Sequence, residues 1–458
     1  MNSIKIKFQN LDQIKFILWL AIVIFFIKFV IIIRLDPELA LDLGNGNGVF
    51  LKGILNGSDG ENYLNGLLAL INDGIFSPEQ ILSYFPAGYP ILIYLISKID
   101  QDYTFIFLSI IQSLIFSYSV YFLSKYLIQT KLKKYTTIIF LMIISNPTLS
   151  LSSIIIGYES LTASGSILII ALLLKFKLLK DKDVKNQVKI VLGASTICGF
   201  ISFLQPRLIL GLLVIIFISI LSKENIKRSF ILIVISTCVT IIFPASLVYR
   251  NYQATGLKSV STNLGTTMNL GAGENTKGSY WDKNKGTKCV DGRRENISDS
   301  EIVKCVLKWY IDNPKKTFEL FVYKSIYFWS PWVGPLAEGT TGRNPWLRYG
   351  PYKYLSENNF YNLFISERIE IISSLIWQIS TIFFLGAGAL VLIRMKSIEA
   401  FLGLILAVLI LINWGITLLT IGDNRFRIPI SGASILLQGI GISIVITNIS
   451  KILSNKQK

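Results

Sequence analysis

The sequence predicts an all-α polytopic membrane protein of about ten transmembrane helices, with interfacial helices and extracytoplasmic loops, and three observations predict it. Of 458 residues, 52% are hydrophobic and only 16% charged, too little polar surface to cover a water-soluble globule of that length. The apolar residues gather in runs long enough to cross a hydrocarbon core of about 30 Å. Lys and Arg, which give the chain a net charge of +17, sit in short clusters between those runs.

The first run, Ile14 to Ile33, has no small-residue cleavage site after it and is expected to be an uncleaved anchor. Lys5, Lys7 and Lys15 place its N-terminus inside. Further spans are expected over Thr104–Leu127, Tyr135–Ile156, Leu161–Leu178, Val188–Leu204, Leu208–Leu221, Phe230–Val248, Ile369–Ile393, Phe401–Ile421 and Ile428–Ile446. Alternation then puts every basic cluster on one side. These are Lys125 with Lys131, Lys133 and Lys134; the six lysines from Lys175 to Lys189; Lys223, Lys227 and Arg228; Arg394 and Lys396; and the tail from Lys451 to Lys458. That is the positive-inside pattern, and one helix too many or too few would break it. It supports an even number of spans with both termini cytoplasmic.

The chain forms a single membrane domain, residues 1–458, whose outer polar length is concentrated in residues 34–102, 250–367 and the turn Gly422 to Arg427. The apolar segments Tyr89–Ser97 and Phe318–Phe328 are too short to span and are expected to lie at the interface. Trp309, Trp329, Trp332, Trp346, Tyr349, Tyr352 and Tyr354 fit an aromatic interface belt, with sugar-stacking platforms as the other reading.

The absence of histidine removes His-based acid/base catalysis, His-activated nucleophiles and His-containing metal sites. Cys198 and Cys238 lie in apolar runs, and no pair of cysteines has metal-knuckle spacing. Cys289 and Cys305 share one outer loop, and a disulfide between them is expected in an oxidising compartment. There is no Walker A pattern, and Gly44, Gly46 and Gly48 are too evenly spaced for a dinucleotide fingerprint. No cofactor, metal or nucleic-acid partner is expected.

Titratable residues on the outer side are the candidates for chemistry. Asp59 and Glu61 stand just before an apolar helical stretch starting at Leu64, with Ser58 and Glu61 at capping-box spacing. They serve either the positive end of a helix, worth about 0.3–1 kcal/mol each, or as a base for a hydroxyl. Glu159 sits in the short turn Gly157-Tyr158-Glu159-Ser160, close to the hydrocarbon boundary, where a carboxylate is either functional or a hydrogen-bonded helix end. Arg207, after Gln205-Pro206, suits either a lipid phosphate or an ordinary headgroup anchor. Arg425 and Arg427 lie outside, against the charge trend. Phosphate binding explains them better than pairing with Asp423 alone.

Taken in order, Asp59-x-x-x-Tyr63, Asn72-Asp73-Gly74 and Phe85-Pro86-Ala87-Gly88-Tyr89-Pro90 resemble the first outer loop of the GT-C glycosyltransferases of the family 39 type, the bacterial protein-mannosyltransferase and aminoarabinose-transferase group. The resemblance extends to Glu159, to Arg250-Asn251-Tyr252 with Ser261 to Gly265, and to Arg425-Phe426-Arg427-Ile428-Pro429. Ala87 and Gly60 depart from the pattern, where many relatives carry a second Pro and an acidic residue. The resemblance implies a GT-C-like fold in the bacterial plasma membrane. It also implies a polyprenyl-phosphate sugar donor, a glycan, lipid or protein acceptor, and an inverting transfer with Asp59 as base. Glu61, Tyr63, Tyr89, Glu159, Arg207, Arg250, Arg425 and Arg427 would bind substrate, the arginines meeting the lipid phosphate. A lipid-linked oligosaccharide flippase or a polysaccharide polymerase is the alternative. A transporter should carry polar or Gly/Pro-broken segments at mid-membrane depth, whereas these runs are nearly clean.

Overall fold

The computed structural model describes residues 2–34, 52–54, 59–179, 183–206, 208–221, 225–279, 286–289, 298–330, 367–395 and 398–456. Its elements are α1 (Asn2–Arg34), α2 (Gly60–Asp73), α3 (Ile81–Tyr84), α4 (Gly88–Ser97), α5 (Thr104–Leu127), α6 (Lys133–Ile144), α7 (Pro147–Ser152), α8 (Glu159–Leu178) and α9 (Val184–Leu204). They continue with α10 (Leu208–Leu221), α11 (Ile226–Thr255), α12 (Leu264–Leu270), α13 (Asp299–Asp312), α14 (Pro314–Trp329), α15 (Glu367–Arg394) and α16 (Ile398–Leu419), a 3-10 helix (Asn424–Ile430) and α17 (Ser431–Lys456). Among the described residues the only β pairing is an isolated bridge between Ser279 and Gly422.

Eight described helices are long and apolar enough to cross a membrane: Asp12–Arg34, Thr104–Leu127, Glu159–Leu178, Val184–Leu204, Ile226–Thr255, Ile376–Arg394, Ile398–Leu419 and Asn424–Thr447. The chain is therefore an all-α, multi-pass membrane protein. Large apolar side chains on its outside agree with a lipid surround, Phe26 being 62% and Phe383 59% exposed. Two of the ten expected spans are shorter than a single crossing helix. Tyr135–Ile156 is broken because Pro147 has no N–H to donate and disfavours helical geometry at Asn146. Asn146 instead caps α7, its side chain accepting from the Leu149 N–H. The other, α10, has 14 residues, roughly 21 Å of helix.

Both ends of the bundle are defined by contacts. Gln13 donates to the Lys133 carbonyl (3.1 Å), the Lys131 N–H donates to Glu399 (2.8 Å), and the Lys177 ammonium lies 6.0 Å from the Phe401 ring centre. Gln13 on α1, the loop after α5, the end of α8 and the start of α16 thus share one end, and it is basic. Glu159, at the opposite end of α8, marks the other. The segment from Lys133 to Tyr158 runs between the two ends as a broken helix. Most of the apolar core surrounds α8, which packs against α5, α9, α16 and α17. Glu159 and Ser160 thereby sit at the start of the most enclosed of the described spans, with Gly157 in the turn just before it.

At the second end, α12, α13 and α14 build a smaller cluster around Met268, Val306, Tyr310 and Leu320. Cys289 and Cys305 are disulfide-bonded there, with Cα atoms 5.8 Å apart. Closing a loop of this length is worth about 3 kcal/mol. In unreduced protein, alkylation is expected to spare Cys289 and Cys305, with both labelled after reduction. Equal labelling of the pair before and after reduction would speak against the bond. Tyr89–Ser97 and Phe318–Phe328, expected at the interface, belong to α4 and α14. Tyr89, Ile93 and Phe328 are fully enclosed by protein, and Phe318 is exposed.

Candidate functional site

Three segments distant in sequence meet at the end opposite the basic clusters. Asp59 holds the N-cap position of α2, yet its carboxylate makes no capping hydrogen bond to the helix. It accepts from Nη1 of Arg425 instead. Glu159, the first residue of α8, accepts from Nε of the same guanidinium and pairs with Nη2. Arg425 is presented by the 3-10 helix, whose start is fixed by the Asp423 carboxylate accepting from the Arg425 N–H at 2.8 Å. Gly157 makes room for the Glu159 carboxylate, since a Cβ there would collide with Oε2.

The side chains of Arg425, Asp59 and Glu159 are only 10%, 19% and 12% exposed, so these charges depend on one another rather than on water. One guanidinium serves two carboxylates, leaving one negative charge over. Tyr63, one turn into α2, and Tyr89, in α4, stand edge to face with centroids 4.9 Å apart, and Tyr63 meets Tyr158 at 6.2 Å. Arg425 lies 5.7 Å from the centre of the Tyr158 ring. Burial pushes the Tyr63 and Tyr89 phenols well above their usual range, with the Glu159 charge adding to both. Both hydroxyls therefore keep their protons. Tyr89 donates to Gln112 Oε1 (3.2 Å) and accepts from the Gly157 N–H (2.8 Å), while Gln205 donates to the Tyr158 hydroxyl (2.8 Å). This wall orients the turn that carries Glu159.

The other predicted site residues fall elsewhere. Glu61 is exposed. Arg250 is buried in α11 and donates to the carbonyls of Ile75 (2.9 Å), Ser77 and Leu82 and to Asn251 Oδ1. Asn251 in turn donates to the Ser259 and Val260 carbonyls, so Arg250-Asn251 ties together two loops. Arg427 donates to the carbonyls of Phe328 and Ser330, both at 2.9 Å, between the rings of Trp329 and Trp377. Arg207, Trp332, Trp346, Tyr349, Tyr352 and Tyr354 lie outside the described residues. Trp329 is buried beneath Arg427, and Trp309 packs on Tyr310.

Sequence reasoning missed four residues. Tyr158, Gln112 and Gln205 frame the site, and their only signal was a polar side chain beside or inside an apolar run. Lys324 is fully buried on α14 and donates to the Tyr310 hydroxyl (2.9 Å) and to the Leu418 (2.9 Å) and Thr420 (2.6 Å) carbonyls. Burial pushes its ammonium down to about 7. With Arg427 it clamps α14 to the segment that carries Arg425. Along the outer face of α2, a groove of about 360 Å³ is lined by Asn65, Ala69, Asn72, Asp73, Glu79 and Ile81, amides and carboxylates that suit a hydroxyl-rich ligand. Among the described residues no three Cys, Asp or Glu side chains gather in a metal-binding group. In comparisons with family models, curated proteins and solved structures, nothing matches this chain.

Proposed function

We propose that this chain is a membrane glycosyltransferase that moves a sugar from a polyprenyl-phosphate donor to an acceptor hydroxyl, with inversion, on the outer face of a bacterial plasma membrane. The observation that carries the reading is the meeting of Asp59, Glu159 and Arg425 at the end of the bundle opposite the basic clusters. If those clusters mark the cytoplasm, the carboxylates lie outside, where lipid-linked sugars replace nucleotide sugars as donors. The acceptor oxygen bonds to the anomeric carbon as the bond from that carbon to the phosphate oxygen breaks, and the acceptor proton passes to Asp59. Arg425 holds the base in place. Because it is shared with Glu159, a proton arriving on Asp59 also relieves repulsion between two carboxylates. The groove of α2 offers a surface for a glycan or peptide acceptor. The resemblance to the GT-C group supports the same reading.

Two measurements test it. Purified protein given polyprenyl-phosphate sugars should release polyprenyl phosphate and glycosylate an envelope acceptor. Lipid movement across vesicles without transfer would instead support the flippase. Reporter fusions after Lys133, Lys182, Lys227 and Lys396 are expected to report the cytoplasm, and fusions near Gly60 and Gly292 the outside. An outside signal at Lys182 would place the site on the wrong face and overturn the reading.

A further inference from the structure

The proposed reaction leaves a phosphate with an additional negative charge, and the described cations around the site are already engaged. Arg425 holds two carboxylates, while Arg250, Arg427 and Lys324 are engaged by backbone carbonyls. Lys28 differs. It lies inside the first apolar run, only 5% exposed, donates to Ser153 Oγ at 3.0 Å and stands 4.4 Å from the centre of the Phe116 ring. No described carboxylate forms an ion pair with it. An ammonium has three donors, and a buried charge without a counter-ion costs several kcal/mol.

The surroundings are rich in hydroxyls. Ser113 Oγ lies 3.1 Å from Ser153 Oγ. Ser117 Oγ, one turn along α5 from Ser113, is buried with no hydrogen-bond partner among the described residues. α5 packs against both α1 and α8, and α7 against α8. Lys28 is also wired to the catalytic end. The Ser153 carbonyl accepts from Gln112 Nε2 (3.4 Å), and Gln112 Oε1 accepts from Tyr89, which accepts from the Gly157 N–H. Less than two helical turns, roughly 9 Å, separate Lys28 from the end of α1 at Arg34. The other face of α1 is open to lipid, with Phe26, Ile27 and Val30 at 62%, 53% and 45% exposure. α1 therefore stands at the lipid-facing edge of the bundle, with Lys28 on its protein side.

We propose that Lys28 is the cation that binds the phosphate of the donor lipid, between α1, α5 and the segment after α7, beside the hydroxyls of Ser113 and Ser153. The proposal rests on the glycosyltransferase reading and names the donor subsite within it. As the anomeric bond breaks, the electron pair stays on the phosphate oxygen, and Lys28 faces the charge that develops there.

The test is binding of a long-chain polyprenyl monophosphate to full-length protein in nanodiscs. Wild type should bind it. Lys28→Met should weaken binding about 10- to 100-fold, the size of a lost charged hydrogen bond, and Lys28→Arg should keep most of it. Uncharged polyprenol should bind all three forms alike. Equal affinity of wild type and Lys28→Met for the phosphate overturns the proposal, as does an equal loss for polyprenol, which would mark a structural role. The same Lys28 dependence with phosphatidylglycerol or inorganic phosphate also overturns it, because the site would then take any headgroup or free phosphate. Lys28→Met removes a buried unpaired cation and should not lower thermal stability. If that variant does not accumulate, Lys28→Gln serves in its place. Lys28-dependent binding without sugar transfer by wild type would keep the phosphate site and remove the glycosyltransferase reading.

Discussion

Asp59→Asn is expected to lower sugar transfer by about 10²–10⁴-fold, the usual loss when a general base is removed, while the protein inserts and accumulates normally. The substitution keeps size and shape. It also turns a cluster of two carboxylates and one guanidinium into the balanced pair Arg425–Glu159, so no buried charge is stranded. The capping contribution of Asp59 is not at stake, because its carboxylate makes no hydrogen bond to the start of α2. Glu61→Gln, at an exposed position, should be mild. The measurement is turnover of a synthetic polyprenyl-phosphate sugar by purified protein. Near-normal turnover in Asp59→Asn together with a dead Glu159→Gln would move the base to Glu159. Activity in both variants would end the proposed mechanism.

Arg425→Met should be the most damaging change to the fold at this site. Removing one partner of a buried ion pair costs about 3–5 kcal/mol, because the remaining charge is left without compensation. Here two carboxylates would be stranded next to each other, 19% and 12% exposed and walled by tyrosines. A clear fall in the melting temperature of solubilised protein is expected, with loss of transfer. The double variant Arg425→Met/Glu159→Gln should recover much of the stability and none of the activity, since one stranded charge and the mutual repulsion are gone. If Arg425→Met melts like wild type, the cluster is not the charge-coupled unit described here.

Much of the architecture was legible because hydrophobic length is a local property. Eight helices coincide with expected spans, and where expectation and structure part, the cause is also local. Pro147 interrupts one run, and α10 stops after 14 residues. The candidate site was legible in part. Asp59, Tyr63, Tyr89, Glu159 and Arg425 were each singled out, and the structure brings them together. The fates of Arg250 and Arg427 were not visible, because a guanidinium bonded to carbonyls reads in sequence like one that awaits a phosphate.

The sequence by itself determined that this chain lives in a membrane, which ends of its helices are basic, and which short turns hold charged residues. Spacing and composition suffice for that, since lipid rewards apolar length wherever it occurs. Only the tertiary structure decided which charges are already partnered. Asp59, Glu159 and Arg425 are separated by 100 to 366 residues and share one site only because α2, α8 and the turn before α17 close on the same end of the bundle. Lys28 is a buried amine with no carboxylate partner among the described residues only because α5 packs over it. Partnership of charges depends on distances across the fold, and no local pattern encodes those distances.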